Sequence, residues 1–216
     1  HIITISNFVK NDLIKFTGVN PEKITVTLES ADELPKGNEP VDELIGKKFI
    51  MYIGRPTPHK NLRRLIDAFA LLQKKYPDLT LALAGKKDSN YARHETYVNE
   101  HGIKNVVFTG FISDEQLRWM YENTAVYCFP SLSEGFGLPG LEAMLHGAPV
   151  ASSTATCLPE THGDAAHYFD PFSVEDIAKS IDDILSDDKL RNELVKKGKK
   201  HVKTFSWQRM AEQTLA

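Results

Sequence analysis

The chain of 216 residues is 41% hydrophobic and 25% charged, with a formal net charge of -3, which is an ordinary soluble globular profile, enough for one large domain or two small ones, and argues against a general affinity for nucleic acid. Two cysteines, Cys128 and Cys157, are too few for a disulfide framework and fit a reducing cytoplasm. No apolar run is long enough for a membrane span or a signal peptide, and a start on His1 inside the strand-like run Ile2–Ile5 suggests a piece of a longer protein.

A helix near 6 to 17 and a strand at 23 to 27 come first, followed by a loop rich in Glu, Pro and Gly; residues 1 to 48 read as a linker region and an edge of the domain. From 49 onward strands and helices alternate. Phe49–Ile53 is an apolar run closed by Gly54, and Leu62, Leu65, Ile66, Phe69 and Leu72 then recur at helical spacing behind Asn61 as N-cap. Leu79–Ala84 is the next strand, closed by Gly85, and 91 to 101 is a polar helical stretch. Val106–Phe108 is a strand, 114 to 122 a helix capped by Ser113 or Asp114, and Ala125–Phe129 another strand. A glycine-rich stretch, a helix from Pro139, a strand at 149 to 151 and a helix marked by Val174, Ile177, Ile181 and Leu185 complete the series.

Near-continuous apolar strands between amphipathic helices predict a Rossmann-like parallel sheet with helices on both faces, over 49 to 216. Ligands of such sheets sit beyond the C-terminal strand ends, so the loops after Gly54, Gly85, Gly110 and Pro130 are expected to converge on one site.

The stretch Ser133–Met144 carries Gly135, Gly137 and Gly140 in the spacing G-x-G-x-x-G, which on its face suggests an NAD-dependent oxidoreductase. That fingerprint belongs directly after the first strand, whereas here Ser-Leu-Ser-Glu intervenes and the strand is the fourth of the series. A plain glycine turn before a helix is a further reading. A third uses every polar residue. Gly135 and Gly137 let the backbone approach a ligand, Pro139 suits the first helical position, and the free amides of 137 to 141 favour an anion. Glu142, in the first helical turn, suits a vicinal diol such as a ribose, while Glu134 precedes the turn and meets sugar hydroxyls or a developing positive charge.

Glu134-Gly-Phe-Gly-Leu-Pro-Gly-Leu-Glu142 with Gly147-Ala-Pro-Val150 closely resembles the E-x7-E region of retaining GT-B glycosyltransferases, family four. Gly54-Arg55 with Lys60-Asn61 resembles that family's G-R-x4-K-N loop, Val107–Ile112 its nucleobase-framing segment, and Leu158-Pro-Glu160, Gly163–Ala166 and Asp170-Pro171 the stretch after the E-x7-E helix. The likeness runs over about residues 1 to 214, and its tail looks most like bacterial mannosyltransferases of surface-polysaccharide assembly. Glu29-Ser-Ala-Asp32 departs from the family's N-G-V-D-like stretch.

The resemblance implies the C-terminal, donor-binding half of a two-domain enzyme whose acceptor-binding N-terminal domain is absent, so the isolated domain is expected to be inactive. The expected chemistry is transfer of a hexosyl group from a nucleotide diphosphate sugar, GDP-mannose preferred over a UDP-sugar, to a saccharide or lipid-linked acceptor held by the missing domain. Arg55, Lys60 and Glu134 are the expected catalytic residues. Gly54, Gly85, Phe111, Ile112, Gly135, Phe136, Gly137, Leu138 and Glu142 are expected to bind the donor, with the base read by backbone near Phe111-Ile112. No D-x-D occurs, so no metal and no cofactor are expected, and the cations Arg55 and Lys60 take the leaving-group charge. The expected location is the cytoplasm, with the full-length protein peripheral to the cytoplasmic face of the membrane. A non-catalytic nucleotide-sugar-binding module remains an alternative.

Other polar residues receive plain structural readings. Arg63 and Arg64 are read as solvated, His94-Glu95 begins H-E-x-x-H but Val98 breaks it, His146 and His162 are read as satisfied by local hydrogen bonds, Cys128 as core, and Lys196–Lys200 as a solvated basic helix end.

Overall fold

The computed structural model describes residues 1–37 and 39–215. β1 (Ile2–Thr4), α1 (Asn7–Thr17) and β2 (Ile24–Val26) form a small unit in which the two strands pair in parallel. The rest is built on β3 (Phe49–Ile53), α2 (Leu62–Leu72), β4 (Thr80–Ala84), α3 (Ser89–Glu100), β5 (Val106–Gly110), α4 (Asp114–Asn123), β6 (Val126–Phe129), α5 (Leu138–Leu145), β7 (Val150–Ser153), α6 (Leu158–His162), β8 (Ala166–Phe169), α7 (Val174–Ser186), α8 (Asp188–His201) and α9 (Trp207–Leu215).

The last six of these strands form one parallel sheet in the order β5-β4-β3-β6-β7-β8. Numbered from β3, this is the Rossmann order 3-2-1-4-5-6, in which the winding reverses between the first and fourth strands. Strands such as Phe49–Ile53 can be apolar throughout because both faces are covered. On one face Leu65, Ile66 and Phe69 of α2 and Ile177, Ile181 and Ile184 of α7 pack on Ile50, Leu81 and Val126. On the other, Leu117, Met120 and Tyr121 of α4 and Leu141 and Met144 of α5 pack on Phe49, Met51 and Tyr127. The predicted doubly covered parallel sheet is the fold.

Details differ from the sequence reading. The cap of α4 is Ser113, in a reciprocal box with Gln116. Asn61 occupies the N-cap position of α2 but makes no capping bond: its backbone is left-handed and its Oδ1 accepts from Arg64 instead. Pro139 is the second residue of α5, not the first, and Glu142 is therefore the fifth, in the second turn rather than the first. β8 went unread because His167 interrupts its apolar run, and α6 because five residues are too few to show a helical period. The basic run Lys196–Lys200 is the C-terminal end of α8, as read, and within it Lys197 pairs with Glu193 at 3.0 Å and with Asp164 at 3.4 Å. Arg63 lies over the ring of Tyr97 and pairs with Asp67, and Arg64 bonds Asn61, so neither is simply solvated.

Candidate functional site

The C-terminal ends of β3, β4 and β5 open onto a cavity of about 540 Å³ whose walls include Gly54, Arg55, Gly85, Lys86, Phe111, Ile112 and Asp114. Gly85 has to be glycine. Its φ is +152°, and a Cβ there would strike the carbonyl oxygen of Gly54 and meet the Tyr91 hydroxyl at 2.8 Å. That buried hydroxyl donates to Ala84 O at 2.8 Å, with Gly54 O also in reach at 3.1 Å, so it holds the two loops together. Phe111, 85% exposed, stands at the mouth as an uncovered aromatic face.

Arg55 reaches Asp88 at 3.5 Å with 78% of its side chain exposed, a loose contact that leaves the guanidinium free to turn. Asp88 is otherwise committed: it caps α3 through the Asn90 and Tyr91 amides, and the Tyr91 amide in the first place holds its carboxyl below the ordinary range. Lys60 is held far more tightly. Its Nζ lies 2.6 Å from Glu134 Oε1, with the two side chains 21% and 13% exposed. This half-buried pair joins the loop after β3 to the loop after β6, the two strands between which the winding reverses. Glu134 is fixed through its own main chain, whose amide donates to Thr156 Oγ1 and whose carbonyl accepts from Cys157 Sγ.

The glycine loop continues from Glu134 into α5. Ser6 Oγ donates to Gly135 O at 2.7 Å. Gly137 takes φ +102°, a conformation that turns the chain into the helix; Pro139 has no N–H and the Gly140 amide donates to Gly137 O at 3.0 Å, which leaves the Leu138 amide for a ligand. Gly140 serves packing, since a Cβ on it would run into the imidazole of His162. His162 is fully buried, with its Nε2 donating to Gly137 O at 3.2 Å and its Nδ1 3.2 Å from Ser152 Oγ. His146 likewise accepts from the Leu34 amide. Both histidines are locally satisfied, as the sequence reading had it. Phe136 is 3% exposed and packs edge-on against Phe205, so only its main chain is open to a ligand; Leu138 is half-buried.

Glu142 accepts from the Tyr121 hydroxyl at 3.2 Å. Burial pushes its carboxyl above the ordinary range, the nearby charges of Asp114 and Asp32 add to that, and the Tyr121 bond opposes it. Asp114 lines the cavity, whereas Lys60, Glu134 and Glu142 do not; Glu142 is linked to it through the charge of Asp114. Asp32 ends the Glu29-Ser-Ala-Asp32 stretch, at the one position where that stretch keeps the residue of the N-G-V-D-like pattern. Among the described residues, no three His, Cys, Asp or Glu side chains are grouped to hold a metal ion, and no helix is long and apolar enough to cross a membrane. Tyr91, Asp88, Asp114 and Tyr121 were missed because their roles depend on elements folding together, and nothing in their spacing marks them.

Fold and site together define a Rossmann-like domain of the kind that forms the C-terminal half of GT-B glycosyltransferases. The family described as "Glycosyl transferases group 1" matches residues 37–201, and the chain belongs to it. It is 32% identical over 229 residues to O-antigen chain mannosyltransferase B of Escherichia coli, covering 99% of this chain and 59% of that protein. It is 31% identical over 220 residues to the MMP alpha-(1->4)-mannosyltransferase of Mycolicibacterium hassiacum, covering 100% of this chain and 53% of that one. The chain thus spans little more than half of these two relatives' lengths. Sucrose-phosphate synthase from Thermosynechococcus elongatus superposes with a TM-score of 0.84 at 25% identity, over 98% of this chain and 56% of that one.

Proposed function

We propose that this chain is the donor-binding half of a retaining, family-four glycosyltransferase that transfers a hexosyl group, mannose from GDP-mannose before any UDP-sugar, to a saccharide or lipid-linked acceptor. The observation that carries the reading is the Lys60–Glu134 pair at the reversal point of a Rossmann sheet, with the glycine loop running from Glu134 into the helix that carries Glu142. The mannosyl specificity rests on what the two relatives are named for.

In this reading the diphosphate lies between Arg55, Lys60 and the Leu138 amide at the start of α5, Glu142 takes the ribose hydroxyls, and Phe111 and Ile112 face the base. The acceptor oxygen bonds to the anomeric carbon on the face the diphosphate leaves, and the departing phosphate oxygen takes the acceptor's proton. No step uses Glu134 as a nucleophile; it orients Lys60 and the sugar. The acceptor comes from a further domain, and the enzyme works at the cytoplasmic face of the membrane.

Titration calorimetry of the chain with GDP, UDP, GDP-mannose and NAD tests this reading. The diphosphates and GDP-mannose should bind, with EDTA making no difference, and NAD should not. NAD binding without response to either diphosphate sinks the reading.

The two glutamates are separable in the same assay. Glu142→Gln should weaken GDP or UDP binding by about tenfold, the loss of one charge-assisted hydrogen bond, and Glu134→Gln should weaken it less. The diol partner acts on the bound ground state, whereas Glu134 faces the sugar, which the diphosphate lacks. The reverse ranking would exchange their roles.

A further inference from the structure

We infer that Asn61 is a positioning residue for Lys60: its buried amide pins the lysine loop to two strand ends and so sets where the ammonium group stands. The inference rests on the donor-binding reading above and adds a residue to it.

Asn61 is 5% exposed. Its Nδ2 donates to Pro130 O at 3.0 Å and to Pro171 O at 2.8 Å, and its Oδ1 accepts from Arg64 at 2.9 Å. Carbonyl oxygens only accept, so the two of them fix which way the amide faces. Pro130 follows β6 and Pro171 follows β8, and β7 lies between these strands. One side chain thus bridges the ends of two strands that do not touch. The main chain around it is tied to the same place, with the Leu132 amide donating to His59 O at 2.7 Å and the Lys60 amide to Thr57 O at 2.9 Å. Asn61 also sits at φ +58°, ψ +31°, a left-handed conformation that asparagine accepts more readily than most residues. Those features cap no α2 amide through the side chain, and they meet that helix only through Arg64 and the Leu65 amide. They act on the residue before Asn61: Lys60, whose Nζ must span to the Glu134 loop at 2.6 Å. A loop released from both carbonyls would let that ammonium wander, and misplacement of about 1 Å at a reacting centre can cost on the order of a hundredfold.

The test is a double-mutant cycle on GDP and UDP affinity, measured by calorimetry on this chain. Asn61→Gly keeps the left-handed backbone and deletes the amide; Asn61→Asp keeps the shape and replaces the amide donor with a carboxylate oxygen, and stands in if the glycine variant folds poorly. Each should weaken diphosphate binding by about tenfold alone and by no more than about twofold once Lys60→Ala is present. A residue that merely supports the fold would weaken both backgrounds alike. Equal effects in the two backgrounds, or no effect in either, overturn the inference. If the unsubstituted chain binds neither diphosphate, the donor-binding reading itself falls, and this inference with it.

Discussion

Lys60→Ala should lower turnover at saturating donor by roughly a hundredfold to a thousandfold, or about 2.7–4 kcal/mol, in the two-domain enzyme. It should also weaken binding of GDP or UDP to this chain more than binding of the matching nucleotide sugar. The reason is where the charge resides. In the intact donor one phosphate oxygen is esterified; in the leaving group, and in the free diphosphate, that oxygen carries charge. A cation held in place before the reaction favours the second state over the first, and an interaction stronger in the transition state than in the ground state appears in turnover. Lys60 meets that description because its side chain is 21% exposed and already held by Glu134. Arg55, 78% exposed and loosely paired, should matter less, and Arg55→Lys should restore only part of the loss of Arg55→Ala because lysine offers no planar fork. Single-turnover rates and calorimetric affinities of the variants decide the matter. If Lys60→Ala binds the nucleotide sugar far more weakly but turns over normally once saturated, the lysine contributes uniform binding only.

Acidification from pH 7 to 5 should destabilise the folded chain by about 2 kcal/mol through His162 alone. Burial holds this imidazole neutral, pulling its pKa from 6.5 down to about 4; the charge of His201 adds to that and the bond to Gly137 O opposes it. In the unfolded chain the ring takes a proton below about pH 6.5. Between the two values the unfolded state holds more protons, so stability is complete above pH 6.5 and falls as the pH drops toward 4, below which His162 adds no further change. Burial also lowers His146, with the same sign, whereas Glu142, raised by burial, acts in the opposite sense. Urea unfolding of the parent and of His162→Asn at pH 7 and 5 isolates the ring: the parent should lose about 2 kcal/mol more than the variant over that interval. Equal losses would show that His162 does not carry the pH dependence. With Nε2 already donating to Gly137 O, the added proton goes to Nδ1, so the bond to the loop that leads into α5 stays and the contact with Ser152 Oγ changes sense.

These two residues show how unevenly the site could be read beforehand. Lys60 was singled out by its match to the G-R-x4-K-N loop, and the fold puts that loop after the C-terminal end of β3. Its partner Glu134 was read as a candidate site residue but not as a partner, since 74 residues of chain separate the two and only the β3–β6 adjacency brings them together. Glu142 was placed correctly in α5 and one turn too early, because Leu138 opens the helix before Pro139 does. Gly140 was read as part of an anion loop, yet the pressure against a side chain there comes from His162, on a helix too short to show a period.

The sequence by itself determined the layer architecture and the family. Apolar runs of four or five residues between amphipathic helices have only one economical burial, a parallel sheet covered on both faces, and that burial is a local property of each segment. The E-x7-E stretch and the lysine loop are likewise contiguous, so their chemistry is written in neighbouring residues. Only the tertiary structure decided which polar groups meet. The hold of Asn61 on Pro130 and Pro171, the cap of Tyr121 on Glu142, the closeness of Asp32 and Asp114 to the same carboxyl, and the anchoring of Gly135 by Ser6 all join residues distant in the chain. A hydrogen bond is satisfied at about 3 Å or not at all, and that distance is set by strand order and helix packing, which no spacing along one segment can express.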